Sequence, residues 1–289
     1  MHDAPSVTLR FPELDFHLVG WSVAGIETWL RVPEWSLTID CGRPAMQAIA
    51  SRHLALTHAH LDHAGGVAGW LGLRSMLKMG HADVYAPAAV CDALRAVCAA
   101  WAELQRVRFA WTLHPVQAGD RFEIGGGRVL EALPAHHNDV PAVGWAVYAR
   151  RQRLRPELVG LAGAEIARRK RAGAVISDAF LHPLLAISGD TRSTIAAEVS
   201  ALREAEVVLH ETTLLDDAHP AAKAHQGGHT HLRDLDESPV AESARFFVPY
   251  HVSQRYDTAT ARELLHAALG GRFGARCVPL LPEVDRGER

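Results

Sequence analysis

Short apolar runs alternate with polar turns along this chain, and five of the runs end in residues of the kind that bind metal ions. Val7 to Val19, Val23 to Val32 and Trp35 to Ile39 read as strands broken by Pro12, Gly20, Gly25 and Pro33, which predicts antiparallel hairpins opening the fold. Leu54 to Leu56 reads as a buried strand, with a helix to follow over Val67 to Met79. Helical spacing over Ala88 to Gln105 puts Val90, Leu94, Val97, Trp101 and Leu104 on one face, while Cys91 and Cys98 share a side and read as core. Arg121 to Ile124 and Arg128 to Leu133 bracket Gly125 to Gly127 as a hairpin. Gly144 to Tyr148, Leu184 to Ile187, Val207 to Leu209 and Phe246 to Val248 are further strands. Helices are expected over Leu232 to Ala244 and Thr258 to Leu269, and a frayed tail after Pro282.

With 289 residues, no Pro-, Gly- or Ser-rich linker and no solenoid-length repeat, the chain reads as one domain over 1–289. The amino terminus shows no apolar signal core, and no apolar run approaches a membrane span, so the expectation is a cytoplasmic protein with no membrane partner. Cys41, Cys91, Cys98 and Cys277 form no C-x-x-C pair and read as reduced thiols. A net charge of -3 excludes a uniformly basic surface but leaves room for a local patch. One such patch is the basic insert at about 150–178, with basic clusters at both ends and a helix-like middle. It is either a solvated helix face or a protrusion that touches phosphates. In the second case Arg168, Arg169, Lys170 and Arg171 are the candidate RNA contacts.

The unusual count is histidine, at 18 residues, and its placement carries the chemistry. LALTHAHLDHAGG, from Leu54 to Gly66, sets His58, His60, Asp62 and His63 directly after a strand. Alternate side chains of an extended chain share a face, so His58 and His60 can address one ion and Asp62 and His63, around a bend, a second. Gly65 and Gly66 permit the sharp turn. The other four runs end at His136/His137, Asp190, His210/Glu211 and His251, and strand ends in packed sheets share an edge. One ion is then expected on His58, His60, Asp190 and one of His136/His137, and another on Asp62, His63, Asp190 and His251. Asp40 is either a turn residue or an acceptor that orients a ligand histidine. His219 and His225 read as exposed loop residues.

THAHLDHAGG with Asp40 before it, SGDT after it and a late strand-ending His251 resembles the metallo-β-lactamase superfamily. Within it, HETTLLDD at 210–217, GHTHL at 228–232 and YHVSQRY at 250–256 are similar to ribonuclease Z, the endonuclease that trims tRNA 3′ ends, and to its short plant-type members in particular. The resemblance implies an α/β fold, a four-layer αββα sandwich with two mixed sheets, and a homodimer. It further implies two zinc ions per chain, a metal-bound hydroxide as nucleophile, and precursor tRNA or another phosphodiester as substrate. Asp62, Glu211 and His229 become catalytic groups, with His229 donating a proton to the leaving oxygen and Glu211 holding it. The family pattern sets its histidine where Asn138 stands, so a one-residue insertion is assumed and His137 chosen, with His136 in reserve. His231 is either an added polar group in the site or a neighbour of it, and the basic insert stands where many bacterial members carry a long Gly-Pro-rich arm. The alternatives are a hydrolase of small phosphodiesters such as cyclic nucleotides and, from another class, an iron-dependent sulfur dioxygenase. Glu211 and His251 speak against the latter, since they complete a second metal site and a proton-donor pair.

Overall fold

Pro12 cannot donate to a strand ladder, and the opening apolar run splits there. Val7–Arg10 (β1) turns back through Glu13, in a left-handed conformation at φ 65°, to pair antiparallel with His17–Ala24 (β2). Glu27–Val32 (β3) and Leu37–Ile39 (β4) continue the meander. His53–Ala55 (β5), Ala82–Pro87 (β6) and Trp111–Val116 (β7) then add in parallel, and Val252–Ser253 closes the first sheet beside β2. Arg121–Gly125 (β8), Arg128–Pro134 (β9), Val143–Leu154 (β10) and Ser177–Ile187 (β11) form the antiparallel half of the second sheet. Val207–Glu211 (β12) and Phe246–Tyr250 (β13) extend it in parallel. The computed structural model describes residues 6–282, so the tail expected to fray after Pro282 lies outside the described residues.

Alternation along the strands buries one apolar face of each sheet against the other, with Leu18, Leu30, Leu37, Trp145, Leu185 and Leu209 in the shared core. The outer face of the first sheet packs Leu54, Leu56 and Val84 under the helices Val67–Met76 and Cys91–Gln105. The outer face of the second packs Val208 and Phe247 under the helix Thr258–Phe273. Both faces of the parallel strands are therefore covered, which is why they read as continuous apolar runs. The result is the expected four-layer αββα sandwich with two mixed sheets.

Several local expectations fail for physical reasons. The helix Cys91–Gln105 buries Cys91 and Cys98 and packs Leu94, with Val90 just before it, partly against the core, but leaves Val97, Trp101 and Leu104 at 54%, 49% and 74% exposure, so the far part of the apolar stripe assigned to its face points outward. Leu232 to Ala244 is not a helix: a short 3-10 turn, Leu232–Leu235, ends before Pro239, which cannot extend an α-helical ladder. The first basic cluster of the insert lies on strand, because β10 and β11 run on as a two-stranded ribbon to Leu154 opposite Ser177, and the α-helix is confined to Gly163–Arg171. Neither β6 nor β7 was anticipated from the sequence. Gly65 and Gly66 have ordinary helical φ values, -59° and -88°, so the turn needs no left-handed backbone there. Their small size is what counts: a Cβ on Gly66 would lie 2.7 Å from the carbonyl oxygen of Cys41.

Candidate metal centre

Four strand ends deliver the metal-type side chains to one edge of the sandwich. After β5 the chain carries buried His58 and exposed His60, and the short helix Leu61–Ala64 adds Asp62 and buried His63. The loop after β9 brings His137, the turn after β11 brings Asp190, and the residue after β13 is His251. Ring and carboxylate atoms of His58, His60, His137 and Asp190 lie within 4.8 Å of one another, as do those of Asp62, His63 and His251. Asp190 Oδ2 is 3.7 Å from His58 Nε2 and 3.4 Å from His63 Nε2, so one carboxylate stands between the two groups.

Unsatisfied atoms show what such a cluster lacks. His63 Nε2 faces His251 Nε2 at 3.1 Å and His137 Nε2 faces His60 Nδ1 at 3.4 Å, so ring nitrogens converge on one another in pairs. His58 Nε2 and Asp190 Oδ1 are buried without any hydrogen-bond partner. Such atoms are costly unless a cation takes them up. Burial pushes His58 well below the ordinary imidazole range, with the His63 charge adding to it, and burial likewise lowers His137 against the pull of Asp190. Both rings are thereby neutral and able to bind metal. Burial alone would raise Asp190, but His251 and His63 hold its carboxyl well below the usual carboxylate range. The donor set, imidazole and carboxylate, fits divalent zinc.

Backbone strain and hydrogen bonds hold these side chains in place. Asp40 and His251 adopt left-handed φ values of 59° and 61°, rare for residues with a Cβ. Asp40 accepts from the Thr57 amide at 2.7 Å, from its hydroxyl at 2.8 Å and from His63 Nδ1–H at 2.8 Å, which leaves His63 Nε2 for the centre. His137 Nδ1–H donates to the Gly228 carbonyl at 3.1 Å. Gly228, at φ 74°, allows that approach, since a Cβ there would lie 3.0 Å from His137 Nδ1. Asp62 Oδ2 accepts from the Gly25 amide at 2.7 Å.

Beside the cluster, His229 Nδ1 lies 3.2 Å from Glu211 Oε1, and that oxygen also accepts from the Thr191 and Thr230 amides. Burial would lower His229, but the charge and hydrogen bond of Glu211 raise it to about 9, so the ring is an imidazolium near neutral pH. Thr213, which the sequence reading passed over, links the two halves of the site. Its hydroxyl donates to Glu211 Oε2 at 2.8 Å and accepts from His251 Nδ1–H at 3.1 Å, fixing the tautomer that turns Nε2 inward. Its position two residues after Glu211, in a polar stretch at a buried strand end, was the available signal.

Other candidates fall outside the cluster. His136 points to Glu198 at 3.0 Å and is half-exposed, whereas His137 faces inward to the Gly228 carbonyl. His210 is buried, with Nδ1–H donating to the Glu211 carbonyl at 2.8 Å. His231 is a neighbour: its Nδ1 accepts from the Arg233 amide and its Nε2 faces the Asp216 carbonyl, capping the turn at Leu232. His219 and His225, read as exposed, are half-buried and paired with Asp216 and Asp234. On the insert, Arg168 and Arg169 both bond Glu165, while Lys170 and Arg171 are exposed.

A family profile described as a β-lactamase superfamily domain matches residues 42–252. The chloroplastic tRNase Z TRZ2 of Arabidopsis thaliana is 29% identical over 279 residues, covering 95% of this chain and 78% of that protein. A ribonuclease Z of Pyrobaculum neutrophilum is 30% identical over 223 residues, covering 73% of this chain and 71% of that protein. Among solved structures, the short form of human tRNase Z superposes with a TM-score of 0.54 at 21% identity, covering 86% and 90% of the two chains. The metallo-β-lactamase fold protein YhfI of Bacillus subtilis superposes at 0.59 with 12% identity, covering 91% and 95%. The last two are likenesses of fold.

Proposed function

The chain belongs to the β-lactamase superfamily, in its ribonuclease Z group, and from that premise we propose that it is a zinc-dependent endoribonuclease that trims the 3′ ends of precursor tRNA. The observation that carries the proposal is the meeting of two His/Asp groups around the unsatisfied Asp190, with the Glu211–His229 pair alongside. His58, His60, His137 and Asp190 would hold one ion, and Asp62, His63, His251 and the shared Asp190 the other. Two such ions, when bound, supply Lewis-acid stabilisation of a phosphoryl group and lower the pKa of water enough to make it a nucleophile at neutral pH. The chain's own residues do the rest. Asp62, fixed by the Gly25 amide, is the acceptor for the proton of the attacking water. His229 holds its proton against burial because Glu211 neutralises it, and it delivers that proton to the leaving oxygen. Asp40 and Thr213 keep His63 and His251 in the tautomers that direct Nε2 at the ions.

Two further elements complete the proposal. The exposed stripe of Val97, Trp101 and Leu104 supports a homodimer, in which a second copy covers an apolar face that a monomer would leave in water. Four free thiols support the cytoplasm as its compartment. A second reading, a hydrolase of small phosphodiesters, is favoured by the pairing of Arg168 and Arg169 with Glu165, which leaves the insert fewer cations for RNA. Incubating the zinc-loaded protein with a 3′-extended precursor tRNA beside bis-p-nitrophenyl phosphate separates the two. One cut near the discriminator base is the expected result, and turnover of the small diester alone would replace the tRNA proposal with the second reading.

A further inference from the structure

Arg192 stands two residues past Asp190 and has no carboxylate partner among the described residues. Its guanidinium is nevertheless held. Nη2 donates to Asn138 Oδ1 at 2.9 Å and to the His225 carbonyl at 3.2 Å, and the Asn138 amide donates in turn to the Gln226 carbonyl at 3.0 Å. Nε–H and Nη1–H take no protein acceptor among the described residues, and the side chain is exposed. Beside it is a recess of about 320 Å³ lined by Ala135, His136, Asn138, Arg192 and Thr194. Hydrogen bonds tie its lining to the centre: His136 N–H donates to Thr191 Oγ1 at 2.8 Å, and Thr191 N–H donates to Glu211 Oε1 at 3.2 Å. His136, which lines the recess, pairs with Glu198 at 3.0 Å.

An arginine without a carboxylate partner, held in place through Nη2, keeps its charge and its Nε–H and Nη1–H donors for a phosphate. The recess is near the lower limit of small-ligand cavities, about 300 Å³, which suits one nucleotide and not a duplex. We infer that this recess seats the nucleotide adjoining the scissile bond, with Arg192 gripping its phosphate. The inference rests on the RNA-cleaving reading of the metal centre and adds the contact that tells a polynucleotide from an isolated diester. It also moves the phosphate contact from the insert, where two arginines are neutralised, to the rim of the centre itself.

The test uses the intact zinc-loaded protein, a fluorescent 12-nucleotide single-stranded RNA and a KCl series, with Arg192→Gln and Arg192→Lys beside the wild type. Arg192→Gln is expected to weaken RNA binding roughly tenfold or more at low salt. It should also flatten the salt dependence by about 0.7 in log–log slope, one phosphate's share on a single strand. Arg192→Lys keeps the slope and recovers part of the affinity. On precursor tRNA, Arg192→Gln raises KM while kcat stays within about twofold. An unchanged slope in Arg192→Gln would overturn the inference. So would loss of bound zinc or a lowered melting temperature in that variant, since Arg192 would then be a strut between Asn138 and the helix Ala221–Gln226. A wild type that neither binds nor cuts RNA would instead sink the tRNA proposal on which the inference stands.

Discussion

Strand β5 has a His/Asp cluster at each end, and the two differ in how their polar atoms are satisfied. At its start, His53 bonds the Tyr85 hydroxyl at 3.2 Å, and Asp83 takes His114 at 3.0 Å and Arg52 at 3.2 Å. Every one of those groups has a partner of opposite hydrogen-bonding sense. Just past its other end, His58 Nε2 and Asp190 Oδ1 are buried with none, imidazole nitrogens face each other, and Asp40 and His251 sit in strained backbone. Cavity size ranks the ends the wrong way round: the satisfied end adjoins about 440 Å³ and the recess at the other about 320 Å³. What marks a binding centre in this molecule is unsatisfied donors and acceptors converging under strain, more than histidine content or volume.

The contrast can be broken from the strong end first. Asp190→Ala removes the carboxylate shared by both groups, so zinc measured by elemental analysis should vanish and turnover fall to background; a variant that keeps two zincs would contradict its bridging place. His137→Ala should follow it closely, whereas His136→Ala should stay within about twofold in kcat/KM, because its ring faces Glu198. Glu211→Gln should cost about 10²–10⁴-fold in kcat, the usual weight of general acid–base catalysis. It carries a pH signature as well. A folded-state value raised to about 9 means that the His229 proton is present at low pH and lost as pH rises through that value, so the alkaline limb reports it. Removing the Glu211 charge should move that limb to lower pH.

Smaller effects come from the supports and from the quiet end. Thr213→Val, isosteric but without the hydroxyl, should weaken zinc about 10–100-fold, with Thr213→Ser recovering most of it; titration against a competing chelator reads both. At the satisfied end, His114→Ala should leave zinc content and turnover unchanged and cost only about 1–3 kcal/mol of stability in urea unfolding, from the partner Asp83 loses. A large loss of zinc there would erase the distinction between the two ends.

The sequence makes the strong end legible because its ligands follow apolar runs, and the H-x-H-x-D-H spacing and Asp190 after Leu184 to Ile187 are local patterns. The choice of His137 over His136 is not local, since the Gly228 carbonyl holds one ring and Glu198 the other, both from distant parts of the chain. Thr213 and Arg192 escaped notice for a similar reason: their partners, His251, Glu211, Asn138 and the His225 carbonyl, come from other loops. Periodicity found the helix Cys91–Gln105 but misjudged its face, because the outward Val97, Trp101 and Leu104 are as apolar as the inward Cys91 and Cys98. The ribbon of β10 and β11 was hidden because beyond Tyr148 the β10 strand, with Arg150, Arg151, Gln152 and Arg153, is polar on both faces and has no core-facing alternation to read.

The most direct test of the central claim is an anomalous-scattering crystal structure of the zinc-loaded protein at the zinc edge. Two peaks are predicted, one within the reach of His58, His60, His137 and Asp190 and the other of Asp62, His63, His251 and Asp190, with none at His53, Asp83 and His114. A single peak, or one at the satisfied end, would contradict it.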